Sequence, residues 1–172
     1  MKKKLLLILL LVCICVPAFA KTNNTSDVIT PQTQLQKRQY QTREYSSVDK
    51  ATIMKAMLNV LQDEGFIVNN ANTLLGFISG AKEFSTNDKT INFEEEFGIP
   101  KKKMSGAKVA VVEATANISE YGKSYRVRIN FKRKLLNMYG NAMNIDEITE
   151  SKYYQTFFSK VDKAIFIQQQ KI

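Results

Sequence analysis

The chain predicts an α+β domain: an antiparallel β-sheet with two helices packed on one face, in the order β-α-β-β-[insert]-β-β-α. Three observations carry this. Two segments repeat apolar residues at three- and four-residue spacing, others alternate apolar with polar residues, and the strands come in adjacent runs, as antiparallel pairing requires. With 172 residues, 44% hydrophobic and 24% charged, the chain has the composition of a folded protein.

The N-terminal region comes first. Met1-Lys2-Lys3-Lys4 is cationic, Leu5 to Val16 is apolar, and Pro17-Ala18-Phe19-Ala20 supplies a breaker and small residues. This is the pattern of a secretory signal peptide, residues 1–20, cleaved after Ala20. The apolar run falls short of the ~20 residues that span a bilayer, so the mature chain is expected to have no transmembrane span. The expected location is outside the cytoplasm, in the periplasm. Cys13 and Cys15 fall inside the signal and follow Val12 and Ile14, where a lipoprotein signal wants a small residue. The mature chain is then free of cysteine and its core must hold without a disulfide. Residues 21–36 are polar, without apolar period, and read as a flexible tether. Residues 37–172 form the single domain, with a charged insert loop at 86–106.

Arg38 to Tyr45 alternates and reads as the first strand. Ser46 to Asp49 offers N-cap side chains to a helix over Ala51 to Glu64, whose stripe is Ile53, Met54, Met57, Leu58 and Leu61 and whose end is Gly65. Phe66 to Val68 begins a second strand, Asn69 to Asn72 a turn, and Leu74 to Phe84 a third strand. Gly76 and Gly80 in it read as points of close approach or bends. Ala107 to Ser119 and Ser124 to Leu136 flank Glu120-Tyr121-Gly122-Lys123 as a long hairpin. In its second arm Tyr125, Val127, Ile129 and Phe131 face the core; Arg126, Arg128, Asn130, Lys132 and Lys134 face solvent. Residues 137–144 read as a loop. Thr149 or Ser151 then caps a helix with Tyr154, Phe157, Phe158, Val161 and Ile165 on one stripe.

The sequence contains no histidine and no tryptophan. His-based acid/base catalysis, Ser-His or Cys-His nucleophiles and His-ligated metals are therefore excluded. No Gly-x-Ser-x-Gly, phosphate loop or calcium-loop spacing is present, and the reading is of a non-enzyme with no metal or other cofactor. Removing residues 1–20 takes three of the 25 lysines and arginines and leaves, against 16 acids, a net charge of +6.

Two sets of residues are candidates for recognition. In the insert, Glu94, Glu95, Glu96 and Phe97 precede Lys101, Lys102 and Lys103; charge runs of opposite sign on a long connection suit a partner-binding segment. On the outer sheet face Arg126, Arg128, Lys132 and Lys134 form a basic stripe with neighbours about 7 Å apart, suited to an anionic surface. Nucleic acid is not expected, because an exported chain seldom meets it and no aromatic side chain is interleaved on that face for stacking.

Gln41 to Tyr45, Val60-Leu61-Gln62-Asp63-Glu64-Gly65-Phe66, Leu75-Gly76-Phe77-Ile78 and the terminal Tyr154, Phe157, Phe158, Val161, Ala164 and Phe166 together carry a resemblance. Over about residues 37 to 170 the chain resembles small proteobacterial envelope proteins and lipoproteins, and is distantly similar to the helix-grip domains of the outer-membrane assembly lipoprotein BamC. The resemblance implies a helix-grip-like fold and an accessory role at the cell envelope, associated with the outer membrane; the insert and the basic stripe then make another envelope protein or an anionic surface the expected partner. The alternative is a carrier of a small apolar ligand or lipid, with Tyr154, Phe157 and Phe158 lining a pocket between helices and sheet.

Overall fold

The computed structural model describes residues 33–87, 92–97 and 104–170. The expected signal, residues 21–32 of the expected tether, and Lys101, Lys102 and Lys103 lie outside these. In chain order the elements are α1 (Gln34–Gln41), β1 (Thr42–Ser46), α2 (Lys50–Asp63), β2 (Ile67–Asn72), β3 (Phe77–Ser85), α3 (Phe93–Phe97), β4 (Val109–Tyr121), β5 (Ser124–Leu136), β6 (Ala142–Glu147) and α4 (Ser151–Gln170). The six strands form one antiparallel sheet in the order β1-β5-β4-β3-β2, with β6 also on β5. The α+β class is as expected, and α2 and α4 bury their stripes in one core with the sheet.

That core is built by alternation. Val127, Ile129 and Phe131 of β5 face Ile53, Met54, Met57 and Leu61 of α2 and Tyr154, Phe157, Phe158 and Val161 of α4 within one buried cluster. Rings crowd around Phe131: Tyr153, Phe157, Tyr154 and Phe66 have centroids 4.9, 5.3, 5.4 and 6.0 Å away. Tyr154, Phe157 and Phe158, expected as pocket lining in the carrier alternative, are thus core side chains packed on one another.

β5 carries the topology. One of its edges pairs with β4 along its whole length; the other is shared, β1 covering Ser124 to Arg128 and β6 covering Lys132 to Leu136. Between them Phe131 would present unpaired backbone. Its N–H donates to the Tyr154 hydroxyl at 3.3 Å and its carbonyl accepts from Ile148 N at 3.0 Å. The same hydroxyl donates to the Ile148 carbonyl at 2.9 Å, so one α4 side chain closes the gap between two strands.

Several boundaries differ from the sequence reading. The expected strand from Arg38 is a helix as far as Gln41. Thr33 and Gln36 form a capping box, each side chain taking the other's backbone N–H, and the helix begins inside the expected tether. The turn expected at 69–72 lies at 73–76, fixed by the Asn72 side chain accepting from Leu75 N at 2.9 Å and by Gly76 at φ +66°. Gly76 and Gly80 do allow close approach: an added Cβ at Gly76 would stand 2.1 Å from the Ile118 carbonyl oxygen and 2.9 Å from the Lys50 side chain of α2, and one at Gly80 would stand 2.9 Å from the Ile67 carbonyl oxygen. The expected loop at 137–144 turns into β6 from Ala142 onward. Gly65, at φ +82°, ends α2 as expected, with Phe66 N reaching back to the Leu61 carbonyl and Gly65 N to that of Gln62.

Candidate functional site

The insert is more ordered than a charged loop. Its Phe93–Phe97 stretch is helical, with Asn92 accepting from Glu95 N. Glu94 and Glu95 are exposed, while Phe97, expected among the partner contacts, is completely buried. An apolar ring in a charged segment drives burial: Phe97 packs 5.3 Å from Phe84 and 5.6 Å from Tyr153. Beside it sit two buried cations that the sequence reading passed over. Lys82 donates to the Glu64 carbonyl and has the rings of Phe84, Phe66 and Phe97 at 4.6, 5.1 and 5.7 Å. Arg133 donates to the Phe97 carbonyl at 2.8 Å and to Asp146 at 2.7 Å. Both occupy core-facing positions, and they hold α3 against the sheet instead of offering charge to solvent.

The basic stripe does share the outer face, as expected, but it divides in two. At the β6 end, Lys134 pairs with Glu113 at 2.6 Å, and Lys132 lies in register between Glu113 and Glu147. Those two acids pair with Lys134 and Lys37, so three cations share two carboxylates at this end. At the β1 end, Arg126 lies opposite Ser119 and Glu44, and Arg128 opposite Asn117 and Thr42. Glu44 is 3.8 Å from Arg126 and also accepts from the Ser124 hydroxyl at 2.6 Å. Arg128 has no ion pair among the described residues.

Helix α1 completes this half. Leu35, Arg38 and Gln39 share one helical face with Thr42 at i, i+3, i+4 and i+7, and with Glu44, Asn117, Ser119, Arg126 and Arg128 they line an open groove of about 710 Å³. Three guanidiniums thereby meet one carboxylate. The Arg126 guanidinium lies 3.3 Å from the centre of the Tyr121 ring, which holds it in place by cation–π attraction. Tyr121 is an aromatic on the outer face, contrary to the reading that none is interleaved there. Arg38 was missed because the strand assignment hid the helical spacing that aims it at the sheet.

The α1 position is itself fixed electrostatically. Glu147 of β6 accepts from Lys37 at 2.8 Å and from Gln41 at 2.9 Å. Burial works to raise the Glu147 pKa, but these hydrogen bonds and the Lys37 charge outweigh it and hold the carboxyl below its usual value. The groove wall is therefore tied to β6 across the sheet.

No family model matches the chain, and neither does any curated protein. Among solved structures it is similar to a DUF4468 family protein from Bacteroides ovatus ATCC 8483, at 12% identity over 72% of this chain and 84% of that one, with a TM-score of 0.37. A likeness at that score carries no argument about what this chain binds.

Proposed function

We propose that this is an exported, non-enzymatic accessory protein of the bacterial envelope, periplasmic or associated with the outer membrane, that binds an anionic envelope component. The observation that carries it is the groove in which Arg38, Arg126 and Arg128 converge against Glu44 alone. Guanidiniums present paired donors to phosphate or carboxylate, and concentrating them in one concavity raises the local potential. The signal-like residues 1–20 and the absence of histidine support export and a binding role. So does the resemblance to envelope proteins and to the helix-grip domains of BamC. In the insert, Glu94 and Glu95 are exposed and accessible to a protein contact.

The test is cosedimentation with washed envelope fragments at low ionic strength. The double substitution Arg38→Glu and Arg128→Glu is expected to weaken binding about tenfold or more, and Lys132→Glu to change it little, because Lys132 lies outside the groove and beside two acids. Added salt should weaken binding of the unsubstituted protein progressively. An unchanged binding curve for the double variant removes the groove from the proposal.

A further inference from the structure

One end of the sheet gathers the β2–β3 turn, the β4–β5 turn and the end of β1. Asn117 pairs with both Phe77 and Arg128, and Ser124 with both Tyr121 and Ser46. The groove opens at this same end, and large apolar side chains stand exposed around it: Leu74 at 91%, Leu75 at 72%, Tyr121 at 50%, and Leu35 on the groove rim at 72%. The leucines are not displayed by a loose loop. Lys50 donates to the Leu74 carbonyl at 2.7 Å, Asn72 accepts from Leu75 N at 2.9 Å, and the Gly76 carbonyl accepts from Ile118 N at 2.7 Å. Turns ordinarily carry polar residues at such positions, and here a pinned turn holds two adjacent leucines in water.

The cations at this end are Lys50, Lys123, Arg126 and Arg128, with Arg38 across the groove. The acids are Glu120, Glu44 and Asp49. Glu44 is engaged by Ser124 and Arg126, and Asp49 by the Thr52 backbone and hydroxyl as the cap of α2. Exposed apolar tips beside guanidiniums match one kind of surface. A soluble polyanion has no use for the leucines, whereas a bilayer with anionic headgroups takes both: phosphates meet the cations while the apolar side chains enter the acyl boundary. A tyrosine ring suits the same boundary.

We propose that this end of the sheet docks peripherally on a bilayer containing anionic phospholipid, with Leu74 and Leu75 inserted and Arg126, Arg128 and Lys123 at the headgroups. The inference rests on the anionic-groove reading and names its ligand. The chain has no tryptophan, so Leu74→Trp creates a single reporter at the tip. Binding is read from the emission shift of that residue on titration with vesicles of phosphatidylglycerol and phosphatidylcholine, and of phosphatidylcholine alone.

The expected result is a blue shift with the anionic vesicles that is reversed by salt. In the Leu74→Trp background, Leu75→Ser and the pair Arg126→Glu with Arg128→Glu should each move the titration midpoint about tenfold. Met138→Ser with Tyr139→Ser, at the opposite end of the sheet, should leave it in place; those residues are 70% and 78% exposed. A shift of equal size with neutral vesicles, or a midpoint that follows Met138 and Tyr139, overturns the docking geometry. If vesicles give no shift while soluble polyphosphate is bound and its binding is lost in the Arg126→Glu, Arg128→Glu protein, bilayer docking fails and the anionic groove stands. If neither probe is bound, both readings fail.

Discussion

Replacing Tyr154 by Phe isolates the closure of the β5 edge. The ring remains, fully buried and 5.0 Å from Tyr40 and 5.4 Å from Phe131. Only the hydroxyl leaves, stranding the Phe131 N–H, now at 3.3 Å from it, and the Ile148 carbonyl, at 2.9 Å. Gln41 loses a long contact of 3.5 Å but keeps Glu147 at 2.9 Å. A buried backbone group without a partner costs about 1–3 kcal/mol, and because one of the two bonds is long the expected total is about 2–3 kcal/mol. For a domain of this size Tm should fall by about 6–10 °C. Urea unfolding gives the free energy, and amide exchange gives the location: the Phe131 amide should lose protection. Tyr139→Phe, at a residue 78% exposed, serves as the control and is expected to stay within about 0.5 kcal/mol. Equal midpoints for the two variants, with Phe131 still protected, would refute the reasoning. There is an alkaline arm as well. Burial pushes the Tyr154 hydroxyl up to about 12 from 10.0, so the native state prefers the protonated form. Its contribution is intact below pH 10 and fades as the pH rises toward 12. Tyr154→Phe should remove part of that limb; Tyr45, raised by burial and by Asp162, and Tyr40, raised by burial and by Glu147, contribute to the rest.

Gly76→Ala should cost clearly more than Gly122→Ala, although both residues have positive φ, +66° and +61°. An added Cβ meets the Ile118 carbonyl at Gly76 and nothing within 4 Å at Gly122. The second variant then bears only the left-handed strain, about 1–2 kcal/mol, and equal losses in thermal unfolding would deny the close approach. Glu147→Gln should destabilise at neutral pH by weakening the hold on Lys37 and Gln41. Since the native state lowers the Glu147 pKa below 4.5, the ionised form is the stabilising one. Its contribution is present above pH 4.5 and disappears as the pH falls through the lower native value. The gap between variant and unsubstituted protein should therefore narrow in acid, and a gap constant from pH 7 to pH 3 counts against the network.

Much of the fold was legible because its signals are local and repeated. The stripes of α2 and α4, the Asp49 cap, Gly65 and the β4–β5 hairpin all follow from spacing and turn chemistry, and the structure has each of them. What was misread lay where a side chain decides between two backbones. Arg38 to Tyr45 alternates well enough for a strand, but the capping box at Thr33 and Gln36 starts a helix upstream that continues to Gln41. Asn69 to Asn72 looks like a turn by composition, yet Asn70 to Asn72 pair with β3 past an irregularity at Asn69, because Gly76, and no asparagine, supplies the left-handed corner. β6 was hidden because its residues, Ala142 to Glu147, have little β-branching and acquire strand form by pairing with the far half of β5.

The candidate site shows why charge on a strand is not a property of that strand. Arg126, Arg128, Lys132 and Lys134 are equivalent in the sequence: same face, same spacing, same sign. Their fates diverge because β5 is bordered by two different strands. β6 brings Glu147 beside Lys132, and β4 places Glu113 between Lys132 and Lys134. β1 brings Glu44 to Arg126 and Thr42 to Arg128, and the helix that leads into β1 adds Arg38 instead of an acid. One half thus sets three cations against two acids and the other three against one. The junction between the halves is the stretch of β5 that neither strand covers, closed by Tyr154. Its hydroxyl, bonded to Phe131 and to Ile148 just past β6, thus lies where the more balanced part of β5 gives way to the part with the larger surplus of positive charge.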